Sequence, residues 1–182
     1  MNHKEMRIMS IDPGSNCTGI YIKCDNIEYI TSIKPQRPNR LKYMFERFDL
    51  IVSEWNITYA LLEDYAYGDN LAGKRTLSEI EGVIKCVLEI RGIPCILVPI
   101  STWKSFVNNW LPKKKNKNYL QTVKEYYGKQ FATTDEADAF MIYNSVEKMI
   151  SGIAATYGAR RVVQEIKETV EKINVWMNRQ GV

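Results

Sequence analysis

Histidine is almost absent: His3, close to the start, is the only one in the chain. That rules against His-based catalytic triads, histidine-ligated metal hydrolases and nucleases that need a catalytic His on a packed element. Cysteine is sparse too. Cys17, Cys24, Cys86 and Cys95 form no CxxC pair and have no histidine nearby. They read as reduced, mostly buried thiols of a cytosolic protein, not as a disulfide framework or a zinc site. No apolar run is long enough to span a membrane and the start is polar and charged, so neither a signal peptide nor an anchor is expected. An excess of acid is missing as well. The net charge is +4, a mild pointer to a polyanionic partner. With 182 residues and 45% hydrophobic content, the chain can build one domain around a real core.

What is present begins with Arg7-Ile8-Met9-Ser10-Ile11-Asp12-Pro13-Gly14-Ser15-Asn16-Cys17-Thr18-Gly19-Ile20. It reads as a strand, a tight turn and a second strand, with Ile8 and Ile11 carrying the first strand into a core. Pro13 fixes φ and Gly14 tolerates positive φ, which is turn chemistry. Asp12 therefore stands where a buried strand opens. A carboxylate there is costly unless a cation meets it. As a lone residue it serves equally as the cap of its own turn.

Thr18–Lys23 and Ile27–Ile33 continue as an antiparallel meander around Asp25-Asn26. Leu41, Met44, Phe45, Phe48, Ile51 and Val52 give Arg40–Trp55 one apolar helical face. The apolar run Thr58–Leu62, ending in Glu63-Asp64, has the form of a strand buried on both faces. Leu77–Ile90 is a second amphipathic helix. Its central Gly82 costs about 1 kcal/mol against Ala, which implies close packing on another backbone. Leu77, Ile80, Ile84 and Val87 form a stripe that belongs to the core or, in part, to an interface. Arg91-Gly92 stops this helix, and Ile93–Val98 is another buried strand. Helical crossovers between the later strands require parallel pairing, hence a mixed α/β sheet. Ser101–Asn109 reads as a short helix with Ser101 as N-cap, and Asn118–Tyr127 as another. Thr133 to Glu136 is a capping box opening a further helix. Gly158–Met177 is a final helix, placing one α/β domain at 1–152 and a helical extension of it at 153–182.

Asp135 and Asp138 lie one helical turn apart and point the same way. The helix dipole partly offsets their repulsion. Brought together with Asp12 and an acid at the end of the fourth strand, they would repel strongly unless a divalent cation sat between them. Carboxylate clusters are what Mg²⁺ and Mn²⁺ prefer. Two such ions roughly 4 Å apart suit phosphodiester hydrolysis. Asp135 alone serves equally as an ordinary N-terminal helix acid, whereas Asp138 stands among Ala137, Ala139, Phe140 and Met141. Glu63 and Asp64 compete for one role, and the pattern does not decide between them.

Ile11-Asp12-Pro13-Gly14-Ser15, Leu62-Glu63 and Asp135-Glu136-Ala137-Asp138-Ala139 together resemble RuvC-type Holliday junction resolvases of the RNase H-like superfamily. Glu81-Gly82-Val83-Ile84 and Pro99-Ile100-Ser101-Thr102-Trp103-Lys104 add to the resemblance, which runs in order over roughly residues 6–150. It implies an RNase H-like mixed five-stranded sheet flanked by helices, here with an extra C-terminal helix. It also implies four acids, Asp12, Glu63, Asp135 and Asp138, holding two Mg²⁺ ions per site, with Mn²⁺ as a substitute. Glu63 is preferred because the family's acid directly follows the apolar strand. Lys104 and Lys117 match family positions near the scissile phosphate, and Lys117 is the better match. The implied activity is paired, symmetric nicking of a four-way junction by a homodimer, in DNA recombination and repair. The setting it implies is bacterial or phage-infected cytosol, and small divergent chains of this type occur in bacteriophages.

Lys113, Lys114, Lys115 and Lys117 lie between the fifth strand and the acidic helix, where they can contact phosphates or form a plain solvated loop. Tyr65 or Tyr67 can stack on an unpaired base at the crossover or cover the sheet edge. Other readings are a broader nuclease of the same fold, cutting forks, flaps, three-way junctions or RNA–DNA hybrids, and a non-catalytic junction binder. A binder gains nothing from added acids near phosphates. An actin-like ATPase needs a duplicated domain for which the chain is too short. A PD-(D/E)xK nuclease is disfavoured because Glu165-Ile166-Lys167 lies on a helix.

Overall fold

A computed structural model describes residues 6–64, 71–111, 119–151, 163–165, 167, 168 and 171. Among these, the chain runs β1 (Arg7–Asp12), β2 (Thr18–Cys24), β3 (Ile27–Ile33), α1 (Arg40–Trp55), β4 (Tyr59–Asp64), α2 (Leu71–Ile90), β5 (Cys95–Pro99), α3 (Ile100–Trp110), α4 (Tyr119–Tyr127) and α5 (Thr134–Ile150). The strands form one mixed sheet in the order β3-β2-β1-β4-β5. Short turns make β1, β2 and β3 antiparallel neighbours, with Asp12 opposite Gly19. The helical crossovers α1 and α2 make β4 parallel to both β1 and β5. Ile11 pairs with Leu62, so Asp12, the last residue of β1, and Glu63, the last but one of β4, fall side by side one step further along.

Strand parity divides the interior into two cores. Met9, Ile11, Ile20, Ile22, Ala60 and Leu62 pack under α1 and α2 with Phe48, Ile80, Ile84 and Val87. Tyr21, Tyr59, Leu61 and Val98 face the other way, against Trp103, Val123, Phe140 and Ile142 of α3, α4 and α5. The central strands are thus apolar on both faces, which is why they read as continuous hydrophobic runs. The stripe on α2 belongs to the core, since Ile80, Ile84 and Val87 are fully buried.

Several local expectations are corrected. Gly82 packs against nothing: a Cβ built there meets no atom within 4 Å. The exposed face of α2 merely tolerates it. Only Cys24 is buried, while Cys17 and Cys95 are half-buried and Cys86 is exposed. Strand β5 begins at Cys95, not Ile93. The Ile93 N–H is committed to the end of α2, bonding the Leu88 carbonyl at 2.8 Å, while Gly92 adopts a left-handed φ of +65° and its N–H bonds the Glu89 carbonyl. Ser101 does not cap α3, whose N-cap is Pro99 with no side-chain cap bond. The Thr133 cap is present, its Oγ1 accepting from the Glu136 N–H at 3.1 Å. The Glu136 carboxylate, however, accepts from the Ala132 N–H and from Ser32 Oγ, tying the start of α5 to β3. Positions 163–165, 167, 168 and 171 are helical, and Val163 packs on Phe106 and Met149. The rest of the expected final helix and of the 153–182 extension lies outside the described residues.

Candidate active site

Three of the expected acids meet where β1, β4 and α5 converge. Asp12 ends β1 and is buried, although it sits at a strand terminus. Glu63 belongs to β4, and its parity puts it with Tyr59 and Leu61 on the face covered by α3 and α5. Asp64 falls on the opposite side, within electrostatic reach of Lys85 on α2. The competition between the two acids is thereby resolved in space: Glu63, not Asp64, stands beside Asp12.

Helix α5 is seated on the sheet by backbone contact. Ser10 Oγ donates to the Ala139 carbonyl at 2.7 Å in the buried interior. Gly19 lies so close to the first turn of α5 that a Cβ there would stand 1.9 Å from the Asp135 carbonyl oxygen. At Gly14 a Cβ would lie 2.0 Å from the Cys17 carbonyl oxygen and 3.3 Å from Asp135 Oδ1. Both glycines are needed for close approach. The Asp135 carboxylate consequently lies over the Pro13–Cys17 turn, and burial, followed by that nearby charge, pushes the Cys17 thiol above its ordinary value. Asp138, one turn later, has its Oδ1 shielded from solvent and acts on Glu63.

Glu63 is strongly perturbed. It is 2% exposed. Burial pushes its carboxyl up to about 7; the Lys104 charge opposes this and the Asp138 charge adds to it. Asp12 lies within hydrogen-bonding reach of it, and Trp103 Nε1–H donates to Glu63 Oε2 at 3.1 Å. Lys104 Nζ stands 5.1 Å from the centre of the Trp103 ring. Lys104 is exposed and is the described lysine of this corner. Tyr65, Tyr67, Lys113, Lys114, Lys115 and Lys117 lie outside the described residues.

The acids supply only carboxylate oxygens, the donor type that Mg²⁺ and Mn²⁺ take. A buried Glu63 held against Asp138 gains if a cation offsets the shared charge, so the residues fit such an ion chemically. Among the described residues, no three Asp, Glu, Cys or His side chains stand close enough to hold one ion. Asp135 is turned toward Gly14 and Cys17, while Glu63 interacts with both Asp12 and Asp138.

Sequence reasoning places Trp103 only within a motif and misses its bond to Glu63. It also misses Gly19 and Ser10, which seat α5. The bond joins residues far apart in the chain, and only the helix phase after β5 could have hinted at an indole turned toward the sheet.

No protein-family model and no curated protein matches the chain by sequence. Solved structures do match it. The structure of Thermus thermophilus RuvC in complex with a Holliday junction substrate aligns at a TM-score of 0.61 and 16% identity, covering 82% of this chain and 98% of that one. The yeast mitochondrial Holliday junction resolvase Ydc2 aligns at 0.55 and 15% identity, covering 94% of this chain and 84% of that one. The chain shares the RNase H-like fold of these resolvases. Among the described residues, no helix is long and apolar enough to cross a membrane.

Proposed function

We propose that this chain is a Mg²⁺-dependent endonuclease that resolves four-way DNA junctions by paired nicks, working as a homodimer. The observation that carries this reading is the convergence of Asp12, Glu63 and Asp138 at one end of one sheet face, with the Glu63 carboxyl raised by burial and by Asp138. A surface that only gripped DNA would be weakened by acids placed there. The shared fold of two Holliday junction resolvases supports the choice of substrate.

In this reading Asp12, Glu63 and Asp138 hold the cations, with Asp135 joining them from one turn earlier on α5. Two bound divalent ions would supply Lewis acidity, lowering the pKa of the attacking water and neutralising charge on the leaving oxygen. Everything else is done by the protein. Ser10, Gly14 and Gly19 fix α5 against β1 and β2, so the late aspartates meet the strand-end acids. The Lys104 ammonium, close enough to Glu63 to lower its pKa, stands ready for a phosphate at the rim. Lys113, Lys114, Lys115 and Lys117 contact the backbone of the arms, with Lys117 nearest the scissile phosphate. Tyr65 or Tyr67 stacks on an unpaired base at the crossover.

The test is incubation with a synthetic mobile four-way junction and Mg²⁺, each strand labelled in turn, beside three-way, flap and RNA–DNA hybrid substrates. Symmetric nicks on two opposing strands of the four-way junction are expected. Equal cutting of all substrates would replace the junction assignment with that of a broader nuclease. No cutting of any would remove the nuclease reading.

A further inference from the structure

Trp103 is the largest fully buried side chain described, and its ring closes the core between α3, β4 and α5. Packing alone would be served by any large apolar group. The indole does one thing that a phenyl ring cannot: its Nε1–H donates to Glu63 Oε2. That acceptor belongs to an acid 2% exposed, in a place where a lost hydrogen bond is not replaced by water.

Resting on the metal-dependent reading above, we infer that Trp103 is the positioning residue for Glu63, committing one carboxylate oxygen to the indole so that Glu63 meets a cation with the other oxygen only. A free carboxylate can rotate and grip an ion with both oxygens. One oxygen committed to a rigid donor prevents that. The ring is immobilised by full burial, and Lys104 Nζ lies 5.1 Å from its centre, so the donor is fixed on both counts. Outer hydrogen bonds of this type orient ligands, and their loss typically weakens metal affinity or activity by about 10–100-fold. Carboxylate binding to Mg²⁺ with near-octahedral geometry favours a single oxygen from each acid.

The first test needs no variant that must fold well. In the intact, ¹⁵N-labelled chain without DNA, titration with Mg²⁺ should shift the Trp103 indole N–H resonance, and Glu63→Gln should abolish that shift. A Trp103 resonance indifferent to Mg²⁺, while calorimetry records Mg²⁺ binding, overturns the inference. The second test is Trp103→Phe, which keeps most of the ring and removes the donor. The Mg²⁺ concentration for half-maximal nicking should rise about tenfold, with junction binding in Ca²⁺ within about twofold of the unsubstituted chain. An unchanged Mg²⁺ requirement overturns the positioning role even if nicking is robust. Failure of the unsubstituted chain to nick any junction overturns the proposed function instead, so the two failures are distinct.

Discussion

The carbonyl oxygen of Asp135 occupies the space that a Cβ on Gly19 would need, 1.9 Å from where that atom would stand. A backbone atom cannot swing aside as a side chain can. Gly19→Ala must therefore push the first turn of α5 off β2 and carry Asp135 and Asp138 with it. Overpacking of this kind costs about 1–3 kcal/mol. Nicking should fall at least as steeply as stability. Gly82→Ala is the matched control, since nothing lies within 4 Å of its added methyl. It should stabilise the chain by up to about 1 kcal/mol and leave nicking unchanged. Chemical denaturation and nicking assays on both variants check the pair.

Asp12→Asn and Asp138→Asn should each abolish cleavage while leaving junction binding in Ca²⁺ intact. Loss of an outer hydrogen-bond partner of a metal ligand already costs about 10–100-fold, so loss of a ligand should exceed a hundredfold. Gel-shift and nicking assays side by side measure both quantities. Full cutting by either variant would contradict the assignment of the acids.

Glu63 makes the metal-free protein sensitive to pH in a defined direction. Its carboxyl rises from 4.5 to about 7 on folding, chiefly through burial. Between these values the folded chain holds a proton that the unfolded chain has released. Stability in EDTA should consequently fall as pH rises from about 4.5 through about 7. Glu63→Gln should flatten this slope and raise Tm at pH 8, each kcal/mol relieved appearing as about 2–4 °C. Thermal melts across the pH range, with EDTA and with Mg²⁺, read this out. A slope that Glu63→Gln leaves unchanged would show that Glu63 is ionised in the fold.

Lys113, Lys114 and Lys115 should act on the phosphates of the arms alone. Replacing Lys113, Lys114 and Lys115 with Gln should weaken junction binding uniformly across sequences. The log–log dependence of affinity on salt should flatten by about 0.9 for each phosphate no longer neutralised. Lys117→Gln should in addition slow nicking of bound junction. Salt titrations of binding, paired with single-turnover nicking, separate the two effects.

Much of this arrangement could be read directly from the residues, and the exceptions have physical reasons. The order of strands and helices followed from hydrophobic period and turn residues, because each crossover helix fixes the direction of the next strand. The choice between Glu63 and Asp64 did not. Both faces of β4 are apolar, so parity carried no label until Tyr59 and Leu61 were assigned to the α5 side. Gly82 misled because a glycine inside a helix suggests crowding, yet its surroundings are open. Gly19 passed without notice because its crowding comes from Asp135, far along the chain. Trp103 was hidden for the same reason, as its hydrogen bond joins two elements that meet only in three dimensions.

The sheet also works as a partition. Phe48, Ile80, Ile84 and Val87 lie in the layer behind it, while Trp103, Phe140 and the α5 aspartates lie in front. Side chains on opposite sides belong to separate packing layers, so the effects of substitutions there on stability should add. The rear layer can therefore be reinforced by protein engineering, with heat resistance raised there while the acidic corner keeps its native geometry.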